Sequence, residues 1–523
     1  MNFHQSCIKD RRRRFYIPVR KILHCIGVKN AEKLVGNQTI QPVIHYYPES
    51  IDLAPGGELL LDFGYAFHGG FRFLISGEGS QLEICFGESV SEATGEPDLD
   101  SSRRHTVLEL PNYGMIEYGN TVYRFLRIKN VGKRTLNCQN IIGVALECDL
   151  EMTGSFESSD PRLNQIWKTA VRTVHLSMQD YIYDGAKRDR IVWMGDLHPE
   201  IKGILSAFSE YSIVRDSFDL LANQAGAVQP MNSFYTYSCW FIITLWDYCC
   251  ASNDIDFLLK YADYAEEMLT LFSGFIDENG AEKIPDLRFL DWPNENYPEA
   301  KHAGIHALLF WMMDSGAKLL QAAGRNPEIC QEAKERLRQY TPDPCGRKAP
   351  AALLTLTGIS DQTSVLETDP FHGVSTFYGF YMLLAKKTVP ALELIRRYWG
   401  AMLDYGATSF WEDFDLDWIQ NSTRIDEFPT PGKKDLHADF GNYCYKGLRH
   451  SLSHGWSCGP APFLSERVLG VRFPEPGKVM ISPDIGDLEW VRGTVPAPGG
   501  VITIEADPKG FHYELPDGLM EIR

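Results

Sequence analysis

The sequence predicts a multidomain α+β protein in which strands come first, a long run of helices follows and strands close the chain. Three observations carry this. Between about residues 40 and 150 apolar and polar residues alternate in short stretches broken by Gly and Pro. From about 155 to 470 apolar residues recur at helical spacing, and after 470 the alternation returns. The 523 residues, 44% hydrophobic and 23% charged, fit an ordinary globular protein of about three domains, one of them oversized.

The first segment, residues 1–38, contains Arg11-Arg12-Arg13-Arg14 and is then interrupted by Pro18, Arg20, Lys21 and His24. No apolar stretch of a signal peptide forms there. The expectation is a solvated, poorly ordered basic tail. Residues 39–154 predict a β-sandwich: Leu59 to Phe63 after the turn Pro55-Gly56-Gly57, then Gly70 to Ile75, Gln81 to Phe86 and Thr121 to Ile128. The glycine-rich Ser76-Gly77-Glu78-Gly79-Ser80 lies between two strands and opens no helix, so it reads as a hairpin turn rather than a phosphate loop.

Residues 155–470 form the helical domain. Ser158-Ser159-Asp160-Pro161 is a helix start signal, followed by Leu163, Ile166, Trp167, Ala170, Val171 and Val174 at helical spacing. Further helices are predicted over 201–224, 237–251, 255–275, 300–323, 327–340, 376–387, 390–403 and 443–452. No fixed-period repeat marks a solenoid, whereas a closed ring of paired helices needs none. Residues 471–523 predict a small β-domain, with strands near 479–481, 500–505, 513–515 and 520–522.

Composition narrows the function. A formal net charge of −18 disfavours nucleic acid, and no run approaches the roughly 18 apolar residues of a membrane span. Twelve cysteines without C-x-x-C pairs or zinc spacing read as buried reduced thiols in a reducing compartment, and the protein is expected to be cytoplasmic, with no cofactor. The 11 Trp, 24 Tyr and 28 Phe suit sugar faces and core packing alike.

Two loops concentrate chemistry. The first runs from Asp184 to Glu200 and holds Arg188, Asp189, Arg190, Trp193 and Asp196 between two helix patterns. The second, Gly406 to Asp415, sets Glu412 beside Trp411 and Phe414. Two carboxylates from separate loops are what glycoside hydrolysis requires: one protonates the leaving oxygen, and the other activates water or attacks carbon.

The first loop resembles the signature of bacterial α-L-rhamnosidases, glycoside hydrolase family 78, whose pattern reads D-C-P-x-R-E-R-L-G-W-x-G-D. Asp184, Arg188, Arg190, Trp193, Gly195 and Asp196 stand at the matching positions. Ala407, Thr408, Trp411 and Glu412 resemble the family's A-T-x-W-E segment, and His454-Gly455-Trp456 a third motif. Upstream, Leu61-Asp62-Phe63-Gly64 and Gly87-Glu88 are similar to its β-domain. The resemblance implies an (α/α)6 barrel, the six-hairpin glycosidase fold, flanked by an N-terminal β-sandwich and a small C-terminal β-domain. It also implies an inverting mechanism with no metal, acting on an oligosaccharide or glycoside. Glu412 would then be the general base, and Asp184, Arg188, Trp193, Asp196 and His454 would bind the sugar, with Trp292 as a stacking wall. A homo-oligomer is compatible with all of this.

One departure matters: the family's general acid is Glu, and this chain has Asp189 there. The carboxyl reaches about 1.5 Å less along the chain, and a misplacement of about 1 Å can cost around a hundredfold in rate. An acid at neutral pH also needs its carboxyl held above about 3.9, which burial and carboxylates favour and Arg188 and Arg190 oppose. Cys-Pro of the family pattern is replaced by Gly185-Ala186. Two other readings stand beside this one. A non-catalytic sugar-binding protein would keep the ring and lose the acid. A serine hydrolase would use Ser457 in Gly455-x-Ser457-x-Gly459, but that elbow needs a preceding strand where 443–452 reads as helix.

Overall fold

A computed structural model describes residues 8–43, 50–96, 105–226, 229–443 and 446–522. Strands β1 (Arg12–Ile17), β2 (Lys21–Lys29), β3 (Ile51–Ile75), β4 (Gln81–Gly87), β5 (His105–Glu109), β6 (Gly114–Asn130) and β7 (Leu136–Cys148) form one seven-stranded sheet. Its order is β1-β7-β3-β6-β4-β5, with β2 also paired to β3. A sandwich was the expectation; here one continuous sheet bends through the 25-residue β3. Residues 58–62 of β3 pair with β2 and β6, and residues 71–75 pair with β6 and β7. Phe63, Phe67, Phe71, Phe86 and Tyr123 fill the inside of the bend.

Two expectations change here. The basic tail is β1 and β2 over residues 12–29. Arg on both faces of β1 hides its period of two, and each charge finds a partner: Arg11 meets Asp216, Arg13 meets Asp149 at 2.5 Å, and Arg14 meets Glu117 at 2.8 Å. Ser76–Ser80 is not a hairpin turn, because β3 and β4 are separated by β6, and the segment crosses over that strand.

The helices are α1 (Val90–Thr94), inside the first domain, then α2 (Pro161–Ser177), α3 (Met194–Ala207), α4 (Ser212–Ala225), α5 (Tyr235–Ser252), α6 (Ile255–Lys260) and α7 (Ala262–Ser273). Next come α8 (Pro298–Ala322), α9 (Glu328–Leu337), α10 (Lys348–Thr357), α11 (Thr363–Glu367), α12 (Gly379–Ala385), α13 (Thr388–Leu394), α14 (Gly400–Asp404) and α15 (Pro460–Phe463). The start signal before α2 is realised, since Asp160 accepts from the amides of Arg162 and Leu163 with Pro161 at the first turn. The single helix expected over 201–224 breaks between α3 and α4, and that over 255–275 breaks at Tyr261. In space α2, α3, α5, α8, α10, α12 and α15 pack in succession, and α15 packs back on α2.

The expected helix over 443–452 does not form; among its described residues only Gly447–Arg449 make a single turn. The carbonyls it would need are taken by side chains. Lys187 Nζ donates to Leu448 O and His450 O, both at 2.8 Å, and Arg188 Nε donates to Arg449 O at 2.9 Å. Ser457 is fully buried, its hydroxyl donates to His454 O at 2.6 Å, and a one-turn helix rather than a strand-to-helix turn contains it. The nucleophile elbow is therefore absent.

Beyond the two-residue pair β9 (Ser422–Thr423) and β10 (Lys434–Asp435), the C-terminal strands are β11 (Val471–Glu475), β12 (Lys478–Ile481), β13 (Val491–Ala497), β14 (Gly500–Asp507), β15 (Gly510–Glu514) and β16 (Met520–Glu521). One sheet is β11-β12-β16; the other, β15-β14-β13-β8, is completed by β8 (Ser155–Ser158) from the entrance to the helical domain. The ten described cysteines form no disulfide with one another, and eight of them are buried; Cys7 and Cys444 lie outside the described residues. Among the described residues no helix is long and apolar enough to cross a membrane.

Candidate active site

The loop after α2 is closed across its base. Asp184 N donates to Ile191 O, and Ile191 N donates back to the Asp184 carboxylate, each at 3.1 Å. Residues 185–190 form the excursion between them. Gly185 bridges to His454, and a Cβ on it would meet His454 Nδ1 at 2.9 Å, so glycine lets the imidazole approach. Ala186 packs with Ala66, Val122 and Leu176 at the junction with the first sheet. Two small residues thus stand where the family pattern has Cys-Pro because this junction has no room for larger ones.

Lys187 anchors the loop. Fully buried, it pairs with Glu92 at 2.8 Å and Glu88 at 3.4 Å while holding the carbonyls of Leu448 and His450. Glu88 in turn accepts from Leu452 N at 2.7 Å; burial pushes its carboxyl up to about 7, against the pull of Lys187. Further ties run from Ala66 N to Thr408 Oγ1 at 3.0 Å and from Arg124 to Gly406 O at 3.1 Å. The first sheet therefore grips three segments, 184–190, 406–412 and 448–454, that carry the predicted site.

Those segments converge. Glu412 N donates to Ser451 O at 3.0 Å, Ser451 N donates to Glu412 Oε2 at 3.2 Å, and His454 N donates to Phe410 O at 3.0 Å. The Glu412 carbonyl accepts from Trp456 Nε1 at 2.9 Å. Arg188 bridges the two catalytic candidates: one terminal nitrogen donates to Asp189 Oδ2 at 2.8 Å, the other to Glu412 Oε2. Glu412 is buried, whereas the Asp189 side chain is 29% exposed. Asp189 and Arg190 are consecutive left-handed residues, φ 55° and 53°. That is a strained conformation of the kind found at functional sites.

A cavity of about 200 Å³ opens between these segments, lined by Asp184, Trp193, Asp196, Glu412, His454 and Trp292, with Phe234, Tyr237, Phe289 and Trp456 completing the wall. Asp196 sits in the first turn of α3, 3.3 Å from His454 Nε2, and the other imidazole nitrogen is 3.9 Å from Glu412 Oε1. Burial, then neighbouring carboxylates, push Asp196 far above the usual carboxylate range. Burial does the same to Asp184, against two backbone amides. Burial and then Arg188 hold His454 well below 6.5, so the ring is neutral. Besides Glu412, the wall thus carries two carboxyls whose protonated form burial favours, an imidazole whose neutral form burial favours, and flat rings, a set able to hydrogen-bond neutral hydroxyls. Among the described residues no cluster fit for a metal ion occurs.

Of the predicted residues, Asp184, Trp193, Asp196, Trp292, Glu412 and His454 line the cavity. Arg188 and Asp189 are outside that lining and are tied to it through Glu412. Trp411 is buried against Phe414 and belongs to the core. The sequence missed Phe234, Tyr237, Phe289 and Trp456; Trp456, two residues after His454, was the one within reach. A larger cavity of about 280 Å³ lies elsewhere, where Lys202, Asp247 and Glu466 are already ion-paired beside the C-terminal sheet.

Glu200, one turn beyond Asp196, is buried beneath this floor, and neither carboxyl oxygen finds a hydrogen-bond partner among the described residues. Gly455 lies directly on it, since a Cβ there would sit 1.7 Å from Glu200 Oε1. Burial, then Asp196 and Asp184, push the Glu200 carboxyl far up. A folded-state value above the unfolded one, about 4.3, means the folded state holds the proton more tightly. The associated stability is complete below that pH and is lost as pH rises toward the folded value. Thermal unfolding should therefore start lower at pH 8.5 than at pH 6, and Glu200→Gln should flatten that slope by up to about 1.4 kcal/mol per pH unit. An unchanged slope of Tm against pH would remove Glu200 from this account.

Residues 151–319 match the bacterial α-L-rhamnosidase six-hairpin glycosidase domain. Over that segment the chain is similar to the bacterial α-L-rhamnosidases. An α-L-rhamnosidase of Formosa agariphila is 23% identical over 193 residues, 34% of this chain and 19% of that protein. Among solved structures, the Klebsiella oxytoca rhamnosidase with rhamnose bound superimposes with a TM-score of 0.68 at 23% identity, over 87% of this chain and 95% of that one. The Streptomyces avermitilis α-L-rhamnosidase complexed with L-rhamnose gives 0.72 at 16% identity, over 97% and 49%. The Bacillus sp. GL1 family 78 rhamnosidase gives 0.71 at 19%, over 94% and 55%. The chain thus spans about a fifth of the curated relative it matches and about half of two of these rhamnosidase structures. The matched segment begins just before β8 and contains the whole Asp184–Asp196 motif.

Proposed function

We propose that the protein is an inverting glycoside hydrolase that removes terminal α-L-rhamnosyl or related deoxy-sugar residues from oligosaccharides or glycosides. The helices that pack back on themselves are, in this reading, an (α/α)6 barrel. The observation that carries the proposal is the single cavity bringing Asp184, Asp196, Glu412 and His454 together under Trp193 and Trp292, with Asp189 bound to the same arginine as Glu412. The sugar binds through the polar wall and the ring faces. Its glycosidic oxygen, at the more exposed side, meets Asp189. Glu412 takes a proton from water as the water oxygen bonds to the anomeric carbon; Asp189 gives its proton to the departing oxygen.

The shortened acid is accommodated by backbone rather than side chain. In this reading the left-handed turn at 189–190, braced by Arg190 donating to Asn120 O at 2.7 Å, sets the position of the acid, which gives up its contact with Arg188 when it carries the proton. Aryl-rhamnoside and rhamno-oligosaccharide hydrolysis followed by NMR is expected to release the inverted anomer first. Asp189→Asn is expected to lose about 10²–10⁴-fold in kcat with an unchanged fold. A retained anomer would overturn inversion, full activity in the variant would move the acid elsewhere, and sugar binding without turnover would select the non-catalytic alternative.

A further inference from the structure

A second compartment, of about 20 Å³, adjoins the sugar cavity and shares Phe289, Trp292, Glu412 and Trp456 with it. That is room for one water molecule and far too little for a sugar ring. Its lining includes the polar residues Asp291, Asp413, Ser375, Thr376 and Asn442. Asp291 is buried ahead of Trp292; its Oδ1 caps the turn by accepting from Asn294, and its Oδ2 has no hydrogen-bond partner among the described residues. Asp413 follows Glu412. Its Oδ1 accepts from Phe414 N at 2.9 Å, its Oδ2 from Asn442 at 3.4 Å, and its amide donates to His450 Nε2 at 2.9 Å. The buried Tyr378 hydroxyl, in the field of Asp291, is equally without a partner. Of these two residues Asp291 lines the compartment, and ordered water is what satisfies a buried oxygen of this kind.

We propose that this compartment is the station of the reacting water, held by Asp291 and Asp413 and passed to Glu412 once the sugar fills the neighbouring cavity. The proposal rests on the glycosidase reading above. Asp291 and Asp413 are positioning residues: the water's oxygen goes to the anomeric carbon, one of its protons goes to Glu412, and neither aspartate is consumed. Asp291 is faced by Asn294, Arg347, Tyr378, Tyr443 and Asp413, and Asp413 by Asn442, Glu412, Asp415, Tyr398, Tyr443 and His450. Burial outweighs the polar partners at both and pushes each up to about 6. The water's holders therefore change charge within the working pH range.

The test is Asp291→Asn, Asp413→Asn and the double variant, measured on an aryl rhamnoside from pH 4.5 to 8.5, with a crystal structure of the unsubstituted protein. Each single variant is expected to lose about 10- to 100-fold in kcat, the cost of a nucleophile misplaced by about 1 Å. KM should stay within about twofold because the sugar cavity is untouched, and the double variant should lose the ionisation of kcat near pH 6. The crystal should show one water bonded to Asp291 Oδ2. Variants with unchanged kcat and pH profile, or a dry compartment, overturn the proposal while hydrolysis by the unsubstituted protein upholds the glycosidase reading. A folded protein that hydrolyses no rhamnoside overturns both.

Discussion

Glu412→Gln is expected to lower kcat on an aryl rhamnoside by about 10²–10⁴-fold, the usual contribution of a general base, with KM nearly unchanged. The amide keeps the length of the side chain and can still accept from Ser451 N and Arg188, so Tm should move little. It cannot take a proton from water. The pattern of low kcat with intact binding separates this role from that proposed for Asp196 and Asp184, contact with the sugar rather than the water. Replacing either of those should raise KM as well. A Glu412→Gln enzyme with ordinary kcat would move the base to another carboxyl of the cavity wall.

Lys187→Met should be the most damaging substitution outside the cavity. It leaves Glu88 and Glu92 buried without their cation and frees the carbonyls of Leu448 and His450. Breaking a buried pair by removing one partner costs about 3–5 kcal/mol. For a protein of this size that is a large share of its stability, readable as a lowered urea midpoint. Activity should fall further than the folded fraction does, because Ser451 and His454 sit on the segment that Lys187 pins. Lys187→Met combined with Glu92→Gln should recover part of the stability. A urea midpoint unchanged in Lys187→Met would show that the pair contributes nothing.

How much of this was legible beforehand follows from what kind of signal each part emits. The β-α-β order and the start of α2 were readable because alternation, helical spacing and an Asp-Pro start are local. Asp184, Trp193, Asp196, Glu412 and His454 were readable because they fall in two dense loops and a short motif. The segment 443–452 was misread because its helical pattern is real, but its carbonyls are claimed by Lys187 and Arg188 from 260 residues away, a competition no local pattern shows. Likewise β1 was taken for a tail because four arginines mask its alternation, and the carboxylate partners of Arg11, Arg13 and Arg14 lie far along the chain. Asp291 and Asp413 carried no spacing signal; only their sharing the lining of a space the size of a water marks them.

The pairing of β8 with β13 bears on how this polypeptide can be divided. Ser155–Ser158 enters the helical domain and Val491–Ala497 follows its exit, yet the two strands lie side by side, so the helices are held between the jaws of a clasp closed by main-chain hydrogen bonds. Cutting near residue 470 would leave β8 as a bare edge and free both ends of the helical ring at once. Positions 155 and 470, natural boundaries in the sequence, are therefore poor places to separate the parts.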